Sequence, residues 1–119
     1  MNTEDLQKAI DKLMGIDGIL CTSIVDSNSG MMLASAGSGV DLEIASAGNT
    51  EVVRAKLKTM QMLGLKDTIE DILITLGKQY HILRPIASVP GVFIYAVLDH
   101  SRANLAFARR IVQEAEAGI

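Results

Sequence analysis

The chain has 119 residues, 49% of them hydrophobic and 21% charged, with 11 Lys and Arg against 14 Asp and Glu. That length suffices for one core without metal or disulfide staples, and a lone Cys21, which cannot form an internal disulfide, points to a reducing, cytoplasmic setting. A net charge of −3 with no basic stripe, and only Tyr80, Phe93, Tyr95 and Phe107 as aromatics, argue against nucleic acid. The acidic N-terminus and short apolar runs argue against a signal peptide or membrane span.

Thr3 is placed to cap a first helix whose opening turn carries Glu4 and Asp5, favourable at the positive end of the helix dipole. Leu6, Ala9, Ile10 and Leu13 fall on one face, and Gly15 stops the helix. Two strands follow at 19–26 and 31–36, joined by Ser27-Asn28-Ser29-Gly30, which has the residues a tight hairpin needs. Asp41 caps a long second helix at about 42–63, ended by Gly64. Runs at 68–76, 79–86 and 91–99, separated by Gly77-Lys78 and by a loop with Pro90-Gly91, predict three more strands. A last helix spans about 101–117, with Leu105, Ala108, Ile111, Val112 and Ala115 on its apolar face.

This order, αββαβββα, makes one α+β domain over 1–119. Consecutive strands joined by short connections are antiparallel neighbours. Strand five, GVFIYAVLD, is apolar at nearly every position and therefore central, covered on both faces. The expected fold is a three-layer sandwich: one antiparallel five-stranded sheet in the order 2-1-5-4-3, helices one and three on one face and helix two on the other.

Helix two carries more apolar surface than one contact uses. Leu42, Ala45, Ser46, Asn49, Val53, Leu57 and Met60 form the stripe expected to lie on the sheet. A second stripe, Gly48, Val52, Ala55, Thr59 and Met62, recurs at alternating spacings of four and three, the pattern of a helix packing on another helix. Either helix two is deeply buried in its own domain or the seam meets a second chain. Gly48, which costs about 1 kcal/mol in a helix interior relative to Ala, favours a close backbone approach. Strand three, at the sheet edge, brings Ile72 and Ile74 on one face, an apolar edge that invites strand pairing. The polar remainder of helix two includes Thr50 and a stripe of Glu51, Arg54, Lys58 and Gln61.

Chemical motifs are weak. Ser35-Ala36-Gly37-Ser38-Gly39 lies between strand and helix, but Leu42 stands where a phosphate-binding fingerprint needs its third Gly, and no Gly-Lys-Ser/Thr follows. Asp99-His100-Ser101 cannot converge as a triad from adjacent positions and is expected to cap helix three. His81, His100 and Cys21 lack metal-ligand spacing. Glu70 and Asp71 read as charges that protect an edge strand, and Asn104 as a buried polar group or a late cap.

The opening helix with GILCTSIVDSNSGMMLAS, the long second helix, TIEDILITLGKQYHILRPI and the ending VLDHSRANLAFARRIV together resemble the Roadblock family of dynein light chains and bacterial GTPase-associated proteins. That resemblance implies homodimers through strand three and helix two, and association with Ras-like GTPases or with motor and signalling scaffolds. The expectation is therefore a non-catalytic, cytoplasmic homodimeric adaptor or regulator of a small GTPase, with no cofactor or metal. Its dimer interface would be Gly48, Val52, Ala55, Thr59, Met62, Ile72 and Ile74, and its GTPase-binding stripe Glu51, Arg54, Lys58 and Gln61. The alternative is a small-molecule-sensing module of similar architecture, which a large apolar cavity would favour.

Overall fold

The computed structural model describes residues 1–119. Helix α1 (Thr3–Met14) starts one residue earlier than a Thr3 cap would allow: Asn2 is the cap, its side-chain oxygen accepting from the Asp5 amide at 2.8 Å. Ala9, Ile10 and Leu13 are its buried face. Strands β1 (Ile19–Asp26) and β2 (Met31–Gly37) form the expected hairpin. In its turn the Asp26 carboxylate accepts from the Asn28 amide at 2.9 Å.

Helix α2 (Leu42–Met62) is capped by Asp41, whose carboxylate accepts from the Ile44 amide at 3.1 Å. Strands β3 (Ile72–Thr75), β4 (Gln79–Pro85) and β5 (Val92–Asp99) complete an antiparallel sheet in the order β2-β1-β5-β4-β3. Strand β5 is buried from Val92 to Leu98, as a central strand covered on both faces requires. Helix α3 (Leu105–Ala117) begins later than Ser101: Asn104 is its cap, accepting from the Phe107 amide at 3.0 Å.

The helices divide between the faces as expected. On one face α1 and α3 cover a core containing Ile24, Ile82, Ile94, Ala96 and Leu98; on the other α2 covers Cys21, Val25, Leu83, Phe93, Tyr95 and Val97. Alternation along β5 sends its even-numbered positions to the first core and its odd-numbered ones to the second.

Two details of α2 differ from expectation. Thr50 is buried, not on the polar face, because its hydroxyl is satisfied within the helix by donating to the Ser46 carbonyl at 2.8 Å. Leu57 is 47% exposed, since α2 packs on β1 and β2 and only Val53 and Met60 are buried in its C-terminal half. The β3 edge and the Gln79–His81 end of β4 are thus only partly covered on this face.

Candidate interaction surface

The flank of α2 that borders the open end of the sheet is identified by its neighbours. Asn49 reaches the Tyr95 phenol from one side of the helix, whereas Ala47 and Thr50 face Gly30 in the β1–β2 turn from the other. Gly48 and Val52 follow on the Asn49 side, with Ala55, Thr59 and Met62 continuing the same stripe along the helix. All five are exposed, Val52 by 38% and Met62 by 77%. Deep burial within the chain's own fold is thereby excluded for the seam. A Cβ built on Gly48 would meet nothing within 4 Å, so no group of this chain requires a glycine there.

Strand β3 is shorter than its run of apolar residues: only Ile72–Thr75 pairs with β4, and its outer edge has no partner strand. Ile72 packs against the α2-side core, and Ile74, opposite His81, lies on the same face. The edge of the sheet and the α2 seam therefore border one open region. Residues 68 to 71 lie outside the strand. Asp71, expected as an edge-strand charge, instead forms a two-pronged ion pair with Arg109 of α3 at 2.8 and 3.0 Å, tying the start of β3 to the opposite layer. The guanidinium's proton affinity rises accordingly, chiefly through hydrogen bonding to Asp71 and then through its charge. A separation of 38 residues leaves no local signal for this pair in the sequence.

A row of polar groups crosses the floor of the region. The His81 ring accepts from the Tyr95 hydroxyl at Nδ1 (3.1 Å) and donates from Nε2 to the Gln79 side-chain oxygen (2.8 Å). Burial pushes the Tyr95 phenol up to about 12, with the neighbouring Cys21 thiol adding to the shift and Asn49 partly offsetting it. The Gln79 oxygen can only accept, so in the neutral ring Nε2 carries the proton and Nδ1 accepts from Tyr95. Burial also lowers the proton affinity of His81 and raises that of the Cys21 thiol, which stays protonated. Composition offered no hint of this row, because its three members come from two strands and meet only by register.

The stripe of Glu51, Arg54, Lys58 and Gln61 is exposed along its length, and none of the four makes an ion pair. Glu51, Arg54 and Lys58 border a shallow depression of about 490 Å³. A second groove, of about 640 Å³, lies between Lys56, Met60, Leu65, Ile69, Ile72 and Arg109 and is open to solvent, not an enclosed apolar cavity.

The weak motifs resolve structurally. Gly37 takes a left-handed conformation (φ 84°) directly against Leu20 and Cys21. Asp99 does not cap α3; its carboxylate accepts from the Ser101 amide and hydroxyl at 2.9 and 2.7 Å, which holds it below the usual carboxylate range. His100 stacks on Tyr80 with ring centres 4.4 Å apart. No group of three His, Cys, Asp or Glu side chains is arranged to hold a metal ion, and no helix is long and apolar enough to cross a membrane.

No protein-family profile matches the sequence, and no curated protein does. In fold the chain is similar to Myxococcus xanthus MglB, with a TM-score of 0.85 and 17% identity over 99% of this chain and 94% of that one. It is also similar to a Roadblock/LC7 domain from Streptomyces avermitilis, with a TM-score of 0.79 and 8% identity over 92% and 90% of the two chains. A third structure, MglB with a tetrameric arrangement, has a TM-score of 0.71 and 14% identity over 98% and 91%.

Proposed function

From a chain that has the Roadblock fold, we propose a homodimeric, non-catalytic regulator or scaffold for a Ras-like small GTPase. The observation that carries the reading is the coincidence, in one open region, of an unpaired β3 edge and an exposed apolar α2 seam. Two copies related by a two-fold axis would join their sheets through β3, with Ile72 and Ile74 beneath, and lay both α2 helices side by side along Gly48, Val52, Ala55, Thr59 and Met62. Self-association in general is supported by a structure of similar fold, MglB with a tetrameric arrangement.

The stripe of Glu51, Arg54, Lys58 and Gln61 is used by neither the core nor the seam, and in the dimer it is presented twice on one side. There it would hold the switch regions of a GTPase in one conformation and so alter hydrolysis, exchange or placement. The open grooves favour this over a ligand-sensing module, which calls for an enclosed apolar cavity.

The test has two parts. The protein sediments as a dimer of its 12.7 kDa chain at micromolar concentration, and Gly48→Arg or Val52→Glu makes it monomeric, because a charge buried between paired helices has no partner. Arg54→Glu combined with Lys58→Glu leaves the dimer and its Tm nearly unchanged but abolishes capture of a Ras-like GTPase from the same genome and any effect on its hydrolysis rate. A monomer at those concentrations overturns the assembly. Undiminished capture by the double variant moves the contact elsewhere, most simply to α1 and α3.

A further inference from the structure

We propose that the Gln79–His81–Tyr95 row makes self-association of this chain pH-dependent, so that the assembly loosens as the medium acidifies. The inference rests on the dimer reading above, because it needs a second copy to cover the open end of the sheet.

The geometry is specific. His81 stands opposite Ile74 of the edge strand β3 and opposite Val97 of β5, so its ring lies on the α2 side of the sheet, toward the end that α2 covers only in part. Both ring nitrogens are already engaged in the neutral form: Nδ1 receives the Tyr95 proton and Nε2 gives its own to Gln79. Tyr95 is fully buried and keeps its proton at any ordinary pH, so a proton arriving at Nδ1 must displace the phenol as donor.

The surroundings give the imidazolium no compensation. Strand β3 offers Ile72, Leu73, Ile74 and Thr75, with no charge. From β5 the carboxylate on this face, Asp99, stands across from Gln79 at the strand end and does not offset the burial that lowers the ring's proton affinity, while Arg84 of β4 pairs with Glu116 on the α3 side. The near flank of α2 adds Lys56, a like charge, and Lys78 precedes Gln79. A second copy seated by its α2 seam would bring Gly48, Val52, Ala55 and Thr59, none able to balance a cation, and would remove water from the part of His81 that is now exposed.

The sign follows from linkage. A histidine whose proton affinity is depressed by burial contributes stability that is complete well above its ordinary value of 6.5 and is lost as pH falls through 6.5 towards the depressed value. Covering the ring in the dimer depresses it further, so the monomer binds more protons and acid favours the monomer. With two copies of His81 per dimer, the dissociation constant should rise several-fold as pH falls from about 7.5 to about 5.

Sedimentation equilibrium across that range tests the idea. His81→Gln, which is neutral and keeps hydrogen-bonding capacity, should flatten the dependence, while His100→Gln, altering the histidine stacked on the opposite face, should leave it intact. An independent reading comes from NMR titration of the His81 ring in the unsubstituted protein, whose midpoint should move to lower pH as concentration is raised from monomer to dimer. A dimer whose dissociation constant does not change with pH, or an equal slope in His81→Gln, overturns this inference and leaves the dimer standing. A monomer at every pH overturns both.

Discussion

Two glycines show how differently one residue type can be constrained. Gly37 has φ 84°, and a Cβ there would run into the Leu20 carbonyl and approach the Cys21 Cα to 2.7 Å. Gly37→Ala is expected to cost about 2 kcal/mol or more, combining left-handed strain with a backbone clash, and chemical denaturation would show it as a lower midpoint at unchanged slope. Gly48 has open space, so Gly48→Ala should stabilise the isolated chain by up to about 1 kcal/mol through helix propensity while weakening the dimer. If it strengthens both, the two helices do not approach closely at that point. The place of Gly48 in an exposed helical seam is legible in the sequence, whereas the role of Gly37 is not. Gly37 belongs to a stretch that imitates a phosphate loop, and only its contact with β1 shows that its conformation serves the hairpin.

At the scale of elements, α2 and β3 carry the proposed surface, and α3 holds the start of β3 through Asp71. The Asp71 carboxylate side chain is 10% exposed and the Arg109 side chain 47%, so the two members of the pair are not equivalent. Removing Arg109 leaves a mostly buried carboxylate without its partner, whereas Asp71→Asn leaves only a solvated cation. Arg109→Ala should therefore destabilise the chain by about 1 to 2 kcal/mol, and Asp71→Asn by less than that. The same Arg109 variant should weaken dimerisation, because the segment leading into β3 loses its tie to α3; thermal melts and sedimentation together would separate the two effects. The apolar run at 68–76 predicts a longer strand than forms, because the isolated chain supplies a pairing partner only for Ile72–Thr75. Helix boundaries follow the caps: Asp41 does what its position predicts, Asn2 takes the role assigned to Thr3, and Asn104, exposed, is the late cap rather than the buried polar group its position also offered, in place of the Asp99-His100-Ser101 segment.

Over the whole molecule, charge is unevenly shared. The net charge is −3, yet the stretch from Val52 to Lys66 holds Arg54, Lys56, Lys58 and Lys66 with no carboxylate among them. Twinned by a two-fold axis, this stretch would present a positive surface to an acidic partner and steer its approach, so capture of a GTPase through it should weaken as salt is raised from about 50 to 500 mM. The isolated protein is not expected to bind GTP, since the glycine segment before α2 has neither the Lys nor the Ser/Thr that hold phosphates and magnesium, and Asp41 occupies the helix N-terminus. Calorimetry with GTP and magnesium checks this, and micromolar binding would contradict it.

The order of elements, the central position of β5, the hairpin of β1 and β2 and the assignment of helices to faces were all determined by the sequence itself. Each depends on local periodicity or on the short reach of a connection, and those are properties of neighbouring residues. The two stripes of α2 were legible for the same reason. Tertiary structure alone decided which end of the sheet α2 leaves open, that Thr50 turns inward while Leu57 does not, that Asp71 pairs with Arg109, and that Gln79, His81 and Tyr95 join in one row. These depend on where a helix comes to rest on a twisted sheet and on cross-strand register. No local pattern encodes such positions; they are set when the two cores on opposite faces of β5 are packed together.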